Sequence, residues 1–168
     1  MTCLESNRTR LRRLTDGDLD NLLQLYGDAE VMRFTPTRVP QTRAQTEARL
    51  RSQLENQKQL NPLGVWAAES KDTDSFIGWF MILPTGRQYP ELGFMIVPSQ
   101  WRKGYAREIA ARLMRHGTED LGLEGYAAVT DPDNETSVRV LTALGFREVP
   151  GAPPLRHFEW TNLHVTRP

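Results

Sequence analysis

The chain has 168 residues, enough for one domain whose core needs neither disulfides nor metal. Hydrophobic residues at 39% and charged residues at 25% exclude a disordered or fibrous chain, and 21 Lys and Arg against 21 Asp and Glu exclude a global field that recruits nucleic acid or anionic membrane. The single cysteine, Cys3, cannot form an internal disulfide, and with no run near ~18 apolar residues and no apolar core in the opening MTCLESNRTR, a cytoplasmic protein is expected.

No repeat, low-complexity tract or linker divides the sequence, so one domain over 1–168, with its core at about 8–165, is expected. A first strand is predicted around residues 8–14. Asp16 or Asp18 then caps a helix whose apolar positions Leu19, Leu22, Leu23 and Tyr26 recur at helical spacing. Residues 29–34 read as one short helical turn halted before Pro36, and residues 42–59 as a mostly polar surface helix with a thin stripe at Ala44, Ala48 and Leu54.

The period then changes. GVWAAE (64–69) and SFIGWFMIL (75–83) are rich in β-branched and aromatic residues, joined by the polar KDTD, and ELGFMIV (91–97) follows the turn-like PTGRQYP. Three adjacent strands with short links predict an antiparallel meander. Helical spacing returns at Ala106, Ile109, Ala110, Leu113 and Gly117, with Gly122 as a stop. GYAAVT (125–130) is a short strand and DPDN a turn. Val138, Leu141 and Leu144 mark a further helix, ended by glycine in Leu144-Gly145-Phe146, and residues 147–149 and 158–165 read as closing strands. This order defines an α+β or mixed α/β fold.

Two stretches carry chemistry. In QWRKGYARE a strand passes through a brief loop into a helix that starts near Lys103 or Gly104. The first turn of a helix has unpaired N–H groups and a dipole that favours anions. Gly104 and the small Ala106 let a ligand approach those amides, and Arg102, Lys103 and Arg107 add positive charge. The plainer alternative is a solvated basic turn in which Gly104 only permits the bend. Neither G-x-G-x-x-G nor the P-loop ending is present, because Lys103 precedes its glycine. The second stretch is DPDNETSVRVLTALGF (131–146). Structurally, Asp133 or Asn134 caps a helix with Ser137 in its first turn; functionally, Asn134 bonds a cofactor's amides and Ser137 offers a hydroxyl to a leaving group. His116, His157 and His164 show no metal-ligand spacing, so no metal is expected.

Together the two stretches resemble the GNAT superfamily of acyl-CoA-dependent acetyltransferases. Trp101-Arg-Lys-Gly104-Tyr-Ala106 matches the family's Gln/Arg-x-x-Gly-x-Gly/Ala loop at Gly104 and Ala106. The leading Trp and the following x-Glu are similar to the branch that acetylates ribosomal-protein N-termini, where Trp-Gly-Lys-Gly-Tyr-Ala-x-Glu is common; Arg102 stands here in place of the first glycine. DAEVMRF (28–34), ELGFM (91–95) and Asn134-x-x-Ser137 through Leu144-Gly-Phe146 extend the likeness.

The resemblance implies a central twisted, mostly antiparallel sheet of about seven strands flanked by helices and splayed between its fourth and fifth strands. It implies acetyl-CoA as cosubstrate, its pantetheine against the backbone of Met95, Ile96 and Val97, and its pyrophosphate on the amides of Arg102, Lys103, Gly104, Tyr105, Ala106 and Arg107 with Asn134 nearby. An amide near Met95 or Ile96 would polarise the thioester carbonyl. Glu91 is the expected general base if the face it shares with Gly93 and Met95 lines the cleft, and a solvated strand-end residue if not. Ser137 is the candidate acid, since the family's usual tyrosine position is Leu141 here. Met32 and Phe34 are expected at the acceptor site. The implied activity is acetyl transfer to a primary amine in a ternary complex. The acceptor stays open between a protein N-terminus and an amino acid, polyamine or aminoglycoside, as does the oligomeric state between monomer and homodimer. A non-catalytic acyl-CoA-binding regulator is the rival, while a nucleic-acid-binding domain conflicts with the balanced charge.

Overall fold

The computed structural model describes residues 4–162. Eight strands form one sheet among the described residues, in the order β1-β2-β3-β4-β5-β6-β8-β7. The chain runs β1 (Leu4–Glu5), β2 (Thr9–Arg13), α1 (Leu19–Tyr26), α2 (Ala29–Met32), α3 (Arg43–Leu60), β3 (Gly64–Ser70), β4 (Phe76–Leu83), β5 (Glu91–Ile96), α4 (Tyr105–Arg115), β6 (Gly125–Thr130), α5 (Glu135–Ala143), β7 (Arg147–Val149) and β8 (Arg156–Thr161). The fold is the expected mixed α/β one. The two-residue β1 was not anticipated, because a pair of residues carries no periodicity; it brings the count to eight and makes the meander β3-β4-β5. Cys3, His164 and the end of the predicted last strand lie outside the described residues.

Helix boundaries follow local chemistry. Asp28 accepts from the amides of Glu30 and Val31 and starts α2, while Thr42 and Gln45 exchange side-chain and backbone bonds to start α3. Asp18, 1% exposed, ends a short turn before α1 and is gripped by both ends of the Arg12 guanidinium at 2.8 Å; Arg12 also reaches Glu69 at 2.7 Å. This bracket ties α1 to the β2–β3 ladder. Beyond Arg115, α4 runs into a wider turn over His116–Asp120, where a β-carbon on Gly117 would overlap the Tyr126 hydroxyl that donates to the Met114 carbonyl.

Each face of the sheet has its own core. On one, Leu92, Phe94 and Ile96 pack with Ile109, Leu113 and Leu141 of α4 and α5. On the other, Trp79, Met81 and Met95 pack with Leu22, Leu25, Tyr26 and Leu50 of α1 and α3. Alternation along β5 therefore sends Glu91, Gly93 and Met95 to the α1–α3 face, as the sequence predicts.

Candidate active site

Strand β5 is antiparallel to β4 along its whole length, with Leu83 opposite Glu91 and Gly78 opposite Ile96. Its parallel pairing with β6 holds at a single position, Glu91 opposite Ala127, where the Ala127 amide donates to the Pro90 carbonyl at 2.9 Å. Beyond that point the two strands diverge. This is the expected splay, between β5 and β6 once β1 is counted.

Hydrogen-bond parity decides which backbone groups face the gap. The Val97 amide donates to the Ile77 carbonyl at 2.9 Å, so the odd-numbered residues of β5 pair with β4 and the even-numbered ones present their backbone to the other side. The gap edge is thus Phe94 and Ile96. Of the three residues expected to offer backbone, only Ile96 does, since Met95 and Val97 are turned to β4. Phe94 was missed, because side-chain alternation gives the face of a residue but not the edge its amide meets. The Ile96 carbonyl is taken by the Trp101 indole N–H at 2.7 Å, which holds the following loop against the end of the strand.

That loop enters α4 through two left-handed residues, Arg102 at φ 61° and Gly104 at φ 80°. At the first, a side chain in this conformation costs about 1–2 kcal/mol, which glycine would not incur. At Gly104 a β-carbon would meet only the Arg8 guanidinium among protein atoms, at 3.6 Å, and the left-handed φ itself favours glycine. No side chain caps the helix that follows, which leaves the amides of Tyr105, Ala106 and Arg107 without side-chain acceptors.

A cleft of about 690 Å³ opens here, bounded by Phe94 and Ile96, the loop and first turn of α4, the start of α5, and α2 with Phe34. Arg102, Gly104, Tyr105, Ala106, Arg107, Asn134 and Ser137 all line it. Lys103 does not; its ammonium turns back to Gln100 Oε1 at 2.9 Å. Asn134 spends Oδ1 as the cap of α5, accepting from the Ser137 amide at 3.1 Å, so its structural role is realised at the cleft wall. Met32, expected beside Phe34, is 2% exposed and packed into the α1–α3 core. The helical turn points it inward, so it lines no cleft.

A smaller cavity of about 150 Å³, lined by Glu91, Gly93, Trp79, Met81 and Val129, adjoins the large cleft and shares Phe94 and Ser137 with it. Glu91 and Ser137 therefore meet one space. Burial pushes the Glu91 carboxyl above the usual carboxylate range, against the opposing pull of Arg87. His157 donates through Nε2 to the Ala152 carbonyl at 2.9 Å and accepts from Arg87 at Nδ1, 3.2 Å away. Leu141 is 2% exposed beneath this cavity and offers no proton. Arg38, in the chain after α2, pairs with Asp131 just beyond β6. No cluster of metal-ligating side chains occurs among the described residues, and no described helix is long and apolar enough to cross a membrane.

A sheet parted between two strands, with bare amides along the gap and at a helix N-terminus, can hold an extended ligand that ends in an anionic group. Residues 8–147 match the family model for the acetyltransferase (GNAT) domain, and the chain belongs to that family. It is 29% identical over 147 residues, 86% of this chain and 82% of the other, to the uncharacterized N-acetyltransferase YoaA of Bacillus subtilis (strain 168). Its fold superposes with a TM-score of 0.83 on a GNAT-family acetyltransferase of Bacillus anthracis, at 19% identity over 95% of this chain and 98% of that one. With a TM-score of 0.81 it also superposes on RimL, a ribosomal L7/L12 alpha-N-protein acetyltransferase solved in complex with coenzyme A, at 12% identity over 95% and 98% of the two chains.

Proposed function

We propose that this acetyltransferase moves an acetyl group from acetyl-CoA to the primary amine of a protein N-terminus. One observation carries the reading. The unpaired edge of β5 joins the amides at the start of α4 at one end to the Glu91–Ser137 cavity at the other.

Phe94 and Ile96 pair with the pantetheine arm as a strand would, and the amides of residues 104–107 with Arg102 and Arg107 receive the pyrophosphate. A β5 amide polarises the thioester carbonyl, in the manner of an oxyanion hole. Glu91, with its raised pKa, takes a proton from the acceptor ammonium at a pH where an ordinary carboxylate is a poorer base. The amine then forms its C–N bond as the C–S bond breaks; the thiolate leaves with a hydrogen bond from the Ser137 hydroxyl and takes up the proton that the nitrogen sheds on becoming an amide. The acceptor enters past Phe34. The motif Trp101-x-Lys-Gly-Tyr-Ala-x-Glu108, together with the likeness of fold to RimL, supports a protein N-terminus over a free small amine.

The test is thiol release from acetyl-CoA with N-terminal peptides and a panel of small amines, with mass-spectrometric detection of the acetylated product. Peptide acetylation well above the small-amine rate is expected, together with a loss in Ser137→Ala. Faster turnover of a small amine moves the acceptor assignment. CoA binding without any turnover makes the chain a regulator instead.

A further inference from the structure

The motif residue Glu108 has no part in the chemistry above, although it lies in the first turn of α4, where a carboxylate competes with any bound phosphate. Its surroundings explain how it is tolerated. Glu108 Oε1 accepts from the Ser6 hydroxyl at 2.6 Å and the Arg8 amide at 3.1 Å, and Oε2 accepts from Arg8 Nε at 2.7 Å, with Arg8 Nη2 in ion-pair contact at 2.6 Å. Burial raises its carboxyl, but three hydrogen-bond donors and the Arg8 charge together hold it below its ordinary range. The charge is turned to the β1–β2 turn and neutralised there.

Arg8 makes a further bond. Its Nη2 donates to the Lys103 carbonyl at 3.0 Å, and its guanidinium lies over the Tyr105 ring at 4.5 Å. The Lys103–Gly104 peptide is trans, so its carbonyl and its N–H point in opposite directions. Arg8 does not line the cleft whereas Gly104 does, so drawing the Lys103 carbonyl to Arg8 turns the Gly104 N–H the other way, to the cleft. This peptide leads into the left-handed Gly104, and glycine on one side makes a flip of the plane inexpensive. A flip would present a carbonyl to the phosphate in place of an amide.

We infer that Arg8 is a positioning residue for cofactor binding: from outside the cleft it locks the Lys103–Gly104 peptide with its N–H toward the pyrophosphate and neutralises Glu108 beside it. This rests on the acyl-CoA reading of the cleft. Arg8 touches no reacting atom, so its effect falls on donors that carry a pyrophosphate and leaves the acetyl-transfer step alone.

The experiment measures CoA binding by calorimetry, and turnover with acetyl-CoA and with acetyl-pantetheine, for the wild type, Arg8→Met and Ser6→Ala. Arg8→Met is expected to raise the Kd for CoA and the KM for acetyl-CoA about tenfold, the worth of one charge-assisted hydrogen bond. Its kcat should stay within about twofold, and its kcat/KM for acetyl-pantetheine, which has no pyrophosphate, should match the wild type. Ser6→Ala loses one bond to Glu108 and none to the loop, so it should lower Tm with CoA affinity unchanged. If Arg8→Met is poorly folded, Arg8→Lys reports the same quantity, because lysine pairs with Glu108 but lacks the fork that also reaches Lys103. Equal loss with both donors, or unchanged CoA affinity in a folded Arg8 variant, overturns the inference. Absence of CoA binding by the wild type overturns the acyl-CoA reading itself and this inference with it.

Discussion

The two edges of β5 are built from the same six residues, Glu91–Ile96, yet one is zipped to β4 throughout and the other meets β6 only at Glu91. The paired edge is mechanical. It fixes the register that sends Glu91 to one face and decides which amides remain. The open edge is chemical: an interior strand with bare backbone groups is costly unless a ligand or water satisfies them. The contrast teaches that the site is made chiefly by leaving a ladder unfinished. Glu91 stands at the last paired position, where the strand is still held on both sides, so the proposed base is fixed just where the cavity begins.

The largest effect is expected from Glu91→Gln. It leaves both edges intact and removes the base, so kcat should fall by ~10²–10⁴ with the Kd for CoA unchanged. In the wild type kcat/KM should fall on acidification with a midpoint above the ordinary carboxylate range, and the variant should lose that limb. Stability should move the other way. A carboxyl whose folded pKa lies above its unfolded value favours the folded state below the unfolded pKa, and this contribution is lost as pH rises toward the folded one. Glu91→Gln should therefore melt higher than the wild type near neutral pH, with the gain vanishing in acid.

Next in size is Gly78→Ala, which attacks the paired edge. A β-carbon at Gly78 would lie 2.1 Å from the Met95 carbonyl oxygen and 2.9 Å from the Ile96 Cα, so β5 must be displaced toward the gap. A loss of roughly 2 kcal/mol in chemical denaturation is expected, with weaker CoA binding because Ile96 moves. Stability loss with unaltered binding would separate the two edges that the account couples. The smallest effect belongs to Arg102→Gly. Relief of the left-handed φ, offset by the freer unfolded chain, should raise stability by about 0.5–1 kcal/mol, while CoA affinity falls a few-fold through the lost cation.

Much of this was legible in the sequence, and the misses share a cause. Alternation in ELGFMIV gave the β5 faces correctly, and the Gly104-Tyr-Ala106 loop was placed at the α4 start by its composition. Side-chain pattern does not encode which amide meets which neighbour, since that depends on register with β4; hence Phe94 was overlooked and Met95 and Val97 were favoured. Met32 and Phe34 are two residues apart around a short helical turn, and only tertiary packing decides that the first is core and the second lines the cleft. Arg8 and Glu108 lie 100 residues apart in sequence, so nothing in either motif announced their pairing.

Amide hydrogen exchange along β5, read residue by residue with and without CoA, tests the unfinished ladder most directly. Gly93 and Met95, bonded to β4, should exchange slowly in both states. Phe94 and Ile96 should exchange quickly in the free protein and at least about tenfold more slowly with CoA bound. Equal protection of odd and even residues in the free protein, or no change at Phe94 and Ile96 on binding, would contradict the account.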